Sequence, residues 1–450
     1  MPLAVEAKDG IVSSVKRTSW LAAVCAVALA TLSLAPAAPI AAVKDVDEAF
    51  RAFWAAHNPQ DAEKQAREVI ASGVSFDEAF NRLKSGRPYA GDVARGVVKT
   101  SYRAHNREFF YSIDVPPSYD PTRRYQVRMQ LHGGVSRPSN QPRGNGSIGN
   151  LASPTEQIYI LPIGWEDAEW WTTVQLDNLR TILDSVKRSY NVDENRVVLA
   201  GVSDGGTGVY YMAMHDATPF ASFTSFIGFI MVLDSVDGAG EQFPNNLRNK
   251  PWFVVNDGMD PLYPTRIVTP YVEHLKKSGV DLTYLPQPNA GHNTSWWPDV
   301  KDTYDAWVRS HPRNPLPDVL TWESTLKDAD TRAHWLVIDK LALMHNMPPL
   351  DDVNRTGEGR MLFEHRKLSG RVDVARVGNL VKAQTRGVGA FTLLLSPDMF
   401  DFSRPIRVET NGNLAFEGLV QKSVSTLLTW AARDNDRTML FGAELHVEVK

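Results

Sequence analysis

The segment "RVVLAGVSDGGTGVYY", residues Arg196–Tyr211, decides how this chain folds. Its apolar run ends at Gly201 and a helical pattern follows Ser203, so it predicts a buried strand, a tight turn and a helix. Gly201, Ser203 and Gly205 complete the pattern G-x-S-x-G. In that pattern the serine hydroxyl stands free at a strained turn, and small neighbours let strand and helix pass closely. Ser203 is therefore the candidate nucleophile, and a polar residue in an ordinary glycine turn is the alternative.

A serine nucleophile needs a base to take its proton and an acid to orient that base. The expected order along the chain is serine, acid, base. After one predicted strand, "VNDGMDPLYP" offers Asp257 and Asp260, and after the next, "NAGHNTSWWP" offers His292. Asp260 is favoured because it lies past the glycine that turns the chain, but either aspartate could be the acid. His215 and His274 fall within helical patterns, and His292 is the predicted base because it alone has the right chain order and loop setting.

A third requirement is a pair of backbone N–H groups that stabilise the negative charge developing on the substrate oxygen. One such donor belongs to the residue after the nucleophile, here Asp204. The other comes from a loop after an early strand, and "QLHGGVSRP" supplies Gly134 at that place. A plain glycine turn is the alternative for this loop. His132 is interpreted as a residue that braces the loop, not as a second base.

Tryptophans occur close to the same loops, in "GWEDAEWWTT" and "SWWPD". Trp165 and Trp296 are candidates for lining a substrate pocket, and packing beneath the loops is the alternative. The sequence shows no metal-ligand spacing, phosphate loop or dinucleotide fingerprint, so we expect neither a metal nor an organic cofactor.

The region around the serine, residues 96–312, alternates predicted strands and helices. Runs such as "YILPI" and "VVLA" are continuously apolar, as strands covered on both faces require. The expected fold class is therefore α/β, with a mostly parallel sheet. Residues 38–95, which come before it, predict a short helical segment in which Asn58 and Ser75 are N-caps.

A different pattern follows the proline-rich "HPRNPLPD" at residues 311–318. Residues 313–450 contain short strands at regular spacing, and Asn411-Gly412 is a hairpin signal between two of them. A helix around "SVSTLLTWAARD" interrupts the strands. This spacing predicts a C-terminal β-sandwich-like domain.

The N-terminus has the order of a secretory signal peptide, which we place at residues 1–37. Positive residues precede an uncharged, mostly apolar run of about 16 residues at Trp20–Ala35, and small residues follow it. The run is short for a bilayer span, so a retained membrane anchor is the less favoured alternative. Cys25, the one cysteine, lies inside the run. Export without disulfides indicates a bacterial periplasmic or secreted protein.

Composition argues against a nucleic-acid partner. The formal net charge is -4, and the chain has no basic block of the kind that binds phosphate backbones. The hydrophobic fraction of 43% is sufficient for a sizeable buried core.

Together, "LHGG", "GVSDGG", "NDGMDPLYP" and "AGHNTSWWP" resemble the motifs of secreted α/β-hydrolase serine esterases. The nearest likeness is to the polyhydroxybutyrate-depolymerase and feruloyl-esterase-like group, and to the catalytic domain of prolyl oligopeptidase relatives. The resemblance covers about residues 96–312 and implies an α/β-hydrolase fold. It implies hydrolysis of a small-molecule or polymeric ester through an acyl-enzyme. The roles it implies are nucleophile for Ser203, acid for Asp260, base for His292, and oxyanion donors for Gly134 and Asp204.

Two other functions stay open. A peptidase of the prolyl oligopeptidase type carries a propeller of at least four blades of about 40 residues each. Only about 60 residues lie between the predicted signal and the first hydrolase strands, which leaves a peptidase without a propeller. The other possibility is a secreted binding protein that keeps a hydrolase fold without activity. Asp204 departs from the resemblance, because such enzymes often carry a small or amide residue there.

Overall fold

A computed structural model describes residues 45–141, 145–327, 331–343 and 350–450. The predicted signal peptide, with Cys25, lies outside the described residues, so the export that it implies stays a prediction. None of the described helices is long and apolar enough to span a membrane.

In the part of the chain that the structure describes, three helices come first, four follow among or after the strands of a large sheet, and one lies near the C-terminus. They are α1 (Val46–Ala55), α2 (Pro59–Ala71), α3 (Phe76–Ser85), α4 (Thr173–Ser189), α5 (Asp204–His215), α6 (Thr265–Lys277), α7 (Trp297–Ser310) and α8 (Val424–Asp434).

Within the described residues, the strands form one large sheet and two smaller ones. The large sheet contains β1 (Gly96–Ala104), β2 (Arg107–Val115), β3 (Tyr125–Leu131), β4 (Ile158–Pro162), β5 (Val192–Val202), β6 (Ser222–Phe226), β7 (Trp252–Val255) and β8 (Leu282–Tyr284). The smaller sheets contain β9 (Val319–Ser324), β10 (Arg332–Ala333), β11 (Leu336–Leu341), β12 (Gly370–Val377), β13 (Leu380–Arg386), β14 (Val388–Leu395), β15 (Ile406–Thr410), β16 (Asn413–Gly418) and β17 (Ala443–Glu448).

The large sheet has the order β1-β2-β4-β3-β5-β6-β7-β8. Strand β2 runs antiparallel to both of its neighbours, and the six strands from β4 to β8 in this order pair in parallel. The prediction of a mostly parallel α/β sheet is confirmed, and the arrangement fits an α/β-hydrolase fold. Strand β6, "SFTSF", was not predicted because polar residues interrupt its apolar pattern, although all five residues are buried.

The parallel strands direct four loops to one edge of this sheet, because their carboxyl ends lie on the same side. Strand β5 ends next to Ser203, and β3 ends next to the "HGG" loop. The loops after β7 and β8 carry the two candidate aspartates and His292. The fold therefore gathers the predicted site residues at this edge.

The predicted N-terminal helices are confirmed as α1, α2 and α3. Asn58 accepts the Asp61 N–H at 2.8 Å, and Ser75 accepts the Glu78 N–H at 3.2 Å, so both N-caps are confirmed. The apolar faces of these helices share a hydrophobic cluster with α8, from the far end of the chain. This segment therefore packs against C-terminal sequence.

The C-terminal strands form a four-stranded sheet, β10-β11-β14-β17, and a five-stranded sheet, β16-β15-β13-β12-β9. Buried side chains of both sheets, such as Leu393 and Val374, belong to one hydrophobic cluster. The predicted hairpin turn is confirmed, with positive φ values of 52° at Asn411 and 82° at Gly412. Strand β9 was not predicted.

Candidate active site

Ser203 occupies a strained turn between β5 and α5. Its backbone angles, φ 55° and ψ -120°, lie in a region that residues other than glycine rarely adopt. A Cβ on Gly201 would lie 2.0 Å from the Gly205 carbonyl oxygen, and a Cβ on Gly205 would lie 2.3 Å from the Leu131 carbonyl oxygen. Both glycines of the G-x-S-x-G pattern are therefore required by close backbone contact.

This contact predicts the effect of Gly201→Ala. The new methyl group has no space beside the Gly205 backbone, so we expect a loss of about 1–3 kcal/mol or more in the free energy of unfolding. Gly357→Ala is the matched control, because a Cβ there meets nothing within 4 Å. Chemical denaturation of both variants checks the prediction, and equal stabilities would contradict it.

The structure brings Ser203, His292 and Asp260 into one chain of hydrogen bonds. The Ser203 Oγ lies 2.8 Å from the His292 Nε2, and the His292 Nδ1 lies 2.8 Å from the Asp260 Oδ2. An ionised carboxylate only accepts hydrogen bonds, so this network assigns the imidazole proton to Nδ1. The Nε2 is then free to accept the Ser203 hydroxyl proton. This is the geometry that a serine nucleophile with its base and acid requires.

Asp257, the other candidate acid, does not contact His292. Its Oδ1 accepts the Met259 N–H at 2.8 Å and the Gly291 N–H at 2.9 Å, and its Oδ2 accepts the Ala290 N–H at 2.7 Å. The carboxylate therefore ties the loop after β7 to the loop that carries His292. Asp260 is the aspartate that faces the imidazole.

The glycines after β3 lie directly against the serine. A Cβ on Gly133 would be 2.9 Å from the Ser203 Cβ and 3.5 Å from its Oγ. Gly134 has a φ of 68°, in the left-handed region that favours glycine. Among the described residues, no group accepts a hydrogen bond from the Gly134 N–H or the Asp204 N–H. Both donors are thus available to a substrate oxygen.

His132 braces this loop, as interpreted from the sequence. Its Nδ1 donates to the Gly133 carbonyl at 2.8 Å, and its Nε2 accepts the Gly164 N–H at 3.1 Å. The Arg137 Nη2 also lies 3.0 Å from this Nε2. The Trp170 indole donates to the His132 carbonyl at 2.8 Å. Trp170 is one of the tryptophans of "GWEDAEWWTT", for which packing beneath the loops was the alternative interpretation, and the structure places it in that role.

The prediction for Trp165 and Trp296 is corrected by the structure. Both side chains are buried, each with 4% of its surface exposed. Trp165 packs against Phe109, and Trp296 packs edge-on against Phe226. Indoles enclosed in the core have no surface to offer a substrate, so these residues support the loops from beneath.

Other side chains lie at the surface of the site. The Tyr263 ring meets the His292 ring edge-on at 5.7 Å between centroids. Burial raises the pKa of the Tyr263 hydroxyl, and the Asp204 and Asp260 carboxylates raise it further. Burial also raises the pKa of Glu169, with a smaller contribution from Asp204. The hydroxyl of Tyr263 and the carboxyl of Glu169 are therefore partly shielded from water.

The loop that carries the acid also presents apolar surface. Met259 and Leu262 flank Asp260 and are 67% and 54% exposed.

Among the described residues, no group of three or more His, Cys, Asp or Glu side chains is placed to hold a metal ion.

Comparisons with known proteins add the following. No family model matches the chain, and no curated protein matches it. A thermostable esterase of solved structure is similar at 20% identity and a TM-score of 0.40, over 48% of this chain and 63% of that one. Esterase 2 of Thermogutta terrifontis is similar at 14% identity and a TM-score of 0.38, over 48% of this chain and 94% of that one.

A ferulic acid esterase is also similar, at 18% identity and a TM-score of 0.38, over 47% of this chain and 98% of that one. These structural neighbours are esterases. Likeness at this level does not carry an activity from one protein to another, so the geometry of the site is what bears on function.

Proposed function

We propose that this protein is a serine hydrolase that cleaves carboxylic esters through an acyl-enzyme intermediate. The hydrogen-bonded chain from Ser203 through His292 to Asp260, at a strained turn beside two free N–H donors, carries this proposal. A binding protein without activity has no need for this geometry. The strain at Ser203 also costs free energy that a purely structural turn would not have to bear.

In the acylation step, the His292 Nε2 takes the Ser203 proton as the Oγ attacks the ester carbonyl carbon. The carbonyl electron pair moves onto its oxygen, which accepts hydrogen bonds from the N–H groups of Gly134 and Asp204. When the carbonyl re-forms, the C–O bond to the alcohol breaks and the imidazolium donates its proton to the leaving oxygen. The products are an ester of Ser203 and the free alcohol.

In the deacylation step, water takes the place of the alcohol. The His292 Nε2 accepts a water proton while the water oxygen attacks the acyl carbon, and the same N–H groups stabilise the oxyanion. The imidazolium then returns a proton to the Ser203 Oγ, and the carboxylic acid leaves. Asp260 stabilises the positive imidazole in both steps without taking its proton.

A fluorophosphonate probe tests this proposal, because it reacts with an activated serine. We expect stoichiometric labelling of the native protein at Ser203, identified by peptide mass, and none of Ser203→Ala. Ser310→Ala is the control, since Ser310 is an exposed residue at the end of α7. Folded native protein that fails to react would favour the binding protein. Turnover of a peptide amide by the native protein that is lost in Ser203→Ala would favour the peptidase.

A further inference from the structure

We infer that Asp204 is a positioning residue whose side chain holds the oxyanion loop against the nucleophile, an inference that rests on the proposed function. The Asp204 Oδ2 accepts the backbone N–H of Val135 at 2.9 Å. The two residues are 69 positions apart in the chain. One belongs to the first turn of α5, and the other directly follows Gly134.

Hydrogen bonds hold the peptide groups on both sides of Gly134. On the N-terminal side, the Gly133 carbonyl accepts the His132 Nδ1–H. The C=O and N–H of a trans peptide point in opposite directions, so this bond turns the Gly134 N–H away from the imidazole. On the C-terminal side, the bond from Val135 to Asp204 fixes the next peptide. The loop contacts α5 through this second bond.

Asp204 also supplies the other predicted donor through its own backbone N–H. One residue therefore provides one half of the oxyanion site and anchors the other half. The spacing between the two donors depends directly on this side chain. Stabilisation of an oxyanion needs donors placed at about 2.7–3.1 Å from the developing charge, so a loosened loop weakens it in the transition state more than in the ground state.

The bond requires an acceptor oxygen, not a negative charge. An asparagine oxygen at the same position can accept the Val135 N–H, because the second oxygen of Asp204 has no partner among the described residues that would force the amide to turn. Alanine at this position has no acceptor. These two substitutions separate the hydrogen bond from the rest of the residue, since both keep the backbone N–H.

The test compares Asp204→Ala and Asp204→Asn in the full chain, with ester kinetics and the inhibition constant of a trifluoromethyl ketone, which forms an oxyanion on the serine. We expect kcat of Asp204→Ala to fall by roughly 10- to 100-fold, with KM little changed. This decrease in kcat is smaller than the one expected when an oxyanion donor is removed outright. Affinity for the ketone should fall by the same factor as kcat/KM. Asp204→Asn should restore both values to within about threefold of the native protein. If alanine prevents folding, Asp204→Ser replaces it, because its hydroxyl is too short to make the same contact.

If Asp204→Ala has a lower thermal midpoint but native kcat and native ketone affinity, the role of Asp204 is merely structural and the inference is overturned. Loss of activity in Asp204→Asn equal to that in Asp204→Ala would overturn it as well, because the charge would then be what matters. These results are distinct from failure of the proposed function. In that case the native protein itself would neither turn over esters nor react with the fluorophosphonate probe.

Discussion

Replacing His292 with alanine is expected to lower kcat for ester hydrolysis by roughly a millionfold. Its Nε2 lies 2.8 Å from the Ser203 Oγ, and among the described residues no other imidazole contacts that hydroxyl. Without this base the serine proton has no acceptor except water. KM should change little, because the imidazole moves protons and contributes little to binding of the intact ester. Initial rates with a short-chain nitrophenyl ester measure both constants.

His446→Ala is the matched control for this substitution. His446 lies on β17, more than half exposed, and pairs with Asp339 and Glu448 at 3.1 and 3.2 Å. Removal of an exposed histidine outside the site should leave kcat and KM at native values. An activity of His292→Ala within tenfold of the native protein would mean that another group takes the proton.

Sequence patterns predicted which loops meet at the edge of the sheet where local chemistry determines backbone shape. The glycines at 201 and 205 are required by contacts with their own neighbours and with β3, and such close contacts leave a recognisable pattern. The loops with Asp260 and His292 follow apolar strands, and parallel strands place such loops at one edge. These rules are general, so a single sequence is sufficient to apply them.

The layer that covers the sheet could not be predicted in the same way. Strand β3 alternates apolar residues with Gln126, Arg128 and Gln130, a pattern typical of a half-exposed strand, but every residue in it is buried. The Arg128 guanidinium lies 5.1 Å from the Trp297 ring and donates to Gln130 at 3.0 Å. Helix α7 supplies Trp297 and was not predicted, so the partners that allow burial of Arg128 were not foreseen.

The roles of several side chains within the loops were also beyond prediction. Trp165 and Trp296 are near the site in sequence, but their indoles point into the core. Trp170 and Asp257 hold the loops through hydrogen bonds to backbone groups that are distant in sequence. Such contacts depend on how the loops meet in space, and no spacing along the chain encodes them.

Asp260→Asn is expected to lower kcat by about 10,000-fold while the free energy of unfolding changes little. The Asp260 Oδ1 accepts the N–H groups of Leu262 and Tyr263 at 2.8 and 3.0 Å. An asparagine must place its oxygen there, so its NH₂ group faces the His292 Nδ1. The Nδ1 then has to accept, and the imidazole proton moves to Nε2, where it blocks proton transfer from Ser203. The protein folds with the wrong tautomer of its base.

Asp257→Asn should lower the free energy of unfolding more, and kcat less, than Asp260→Asn does. Both oxygens of Asp257 accept backbone N–H groups, so an amide leaves its NH₂ group facing the N–H of Ala290, or those of Met259 and Gly291. We expect a loss of about 1–3 kcal/mol in the free energy of unfolding, since a buried donor loses its acceptor. A small displacement of the His292 loop should lower kcat by no more than about a hundredfold. Denaturation curves and kcat for the two variants show which aspartate is the acid. A larger loss of kcat in Asp257→Asn than in Asp260→Asn would make Asp257 the acid.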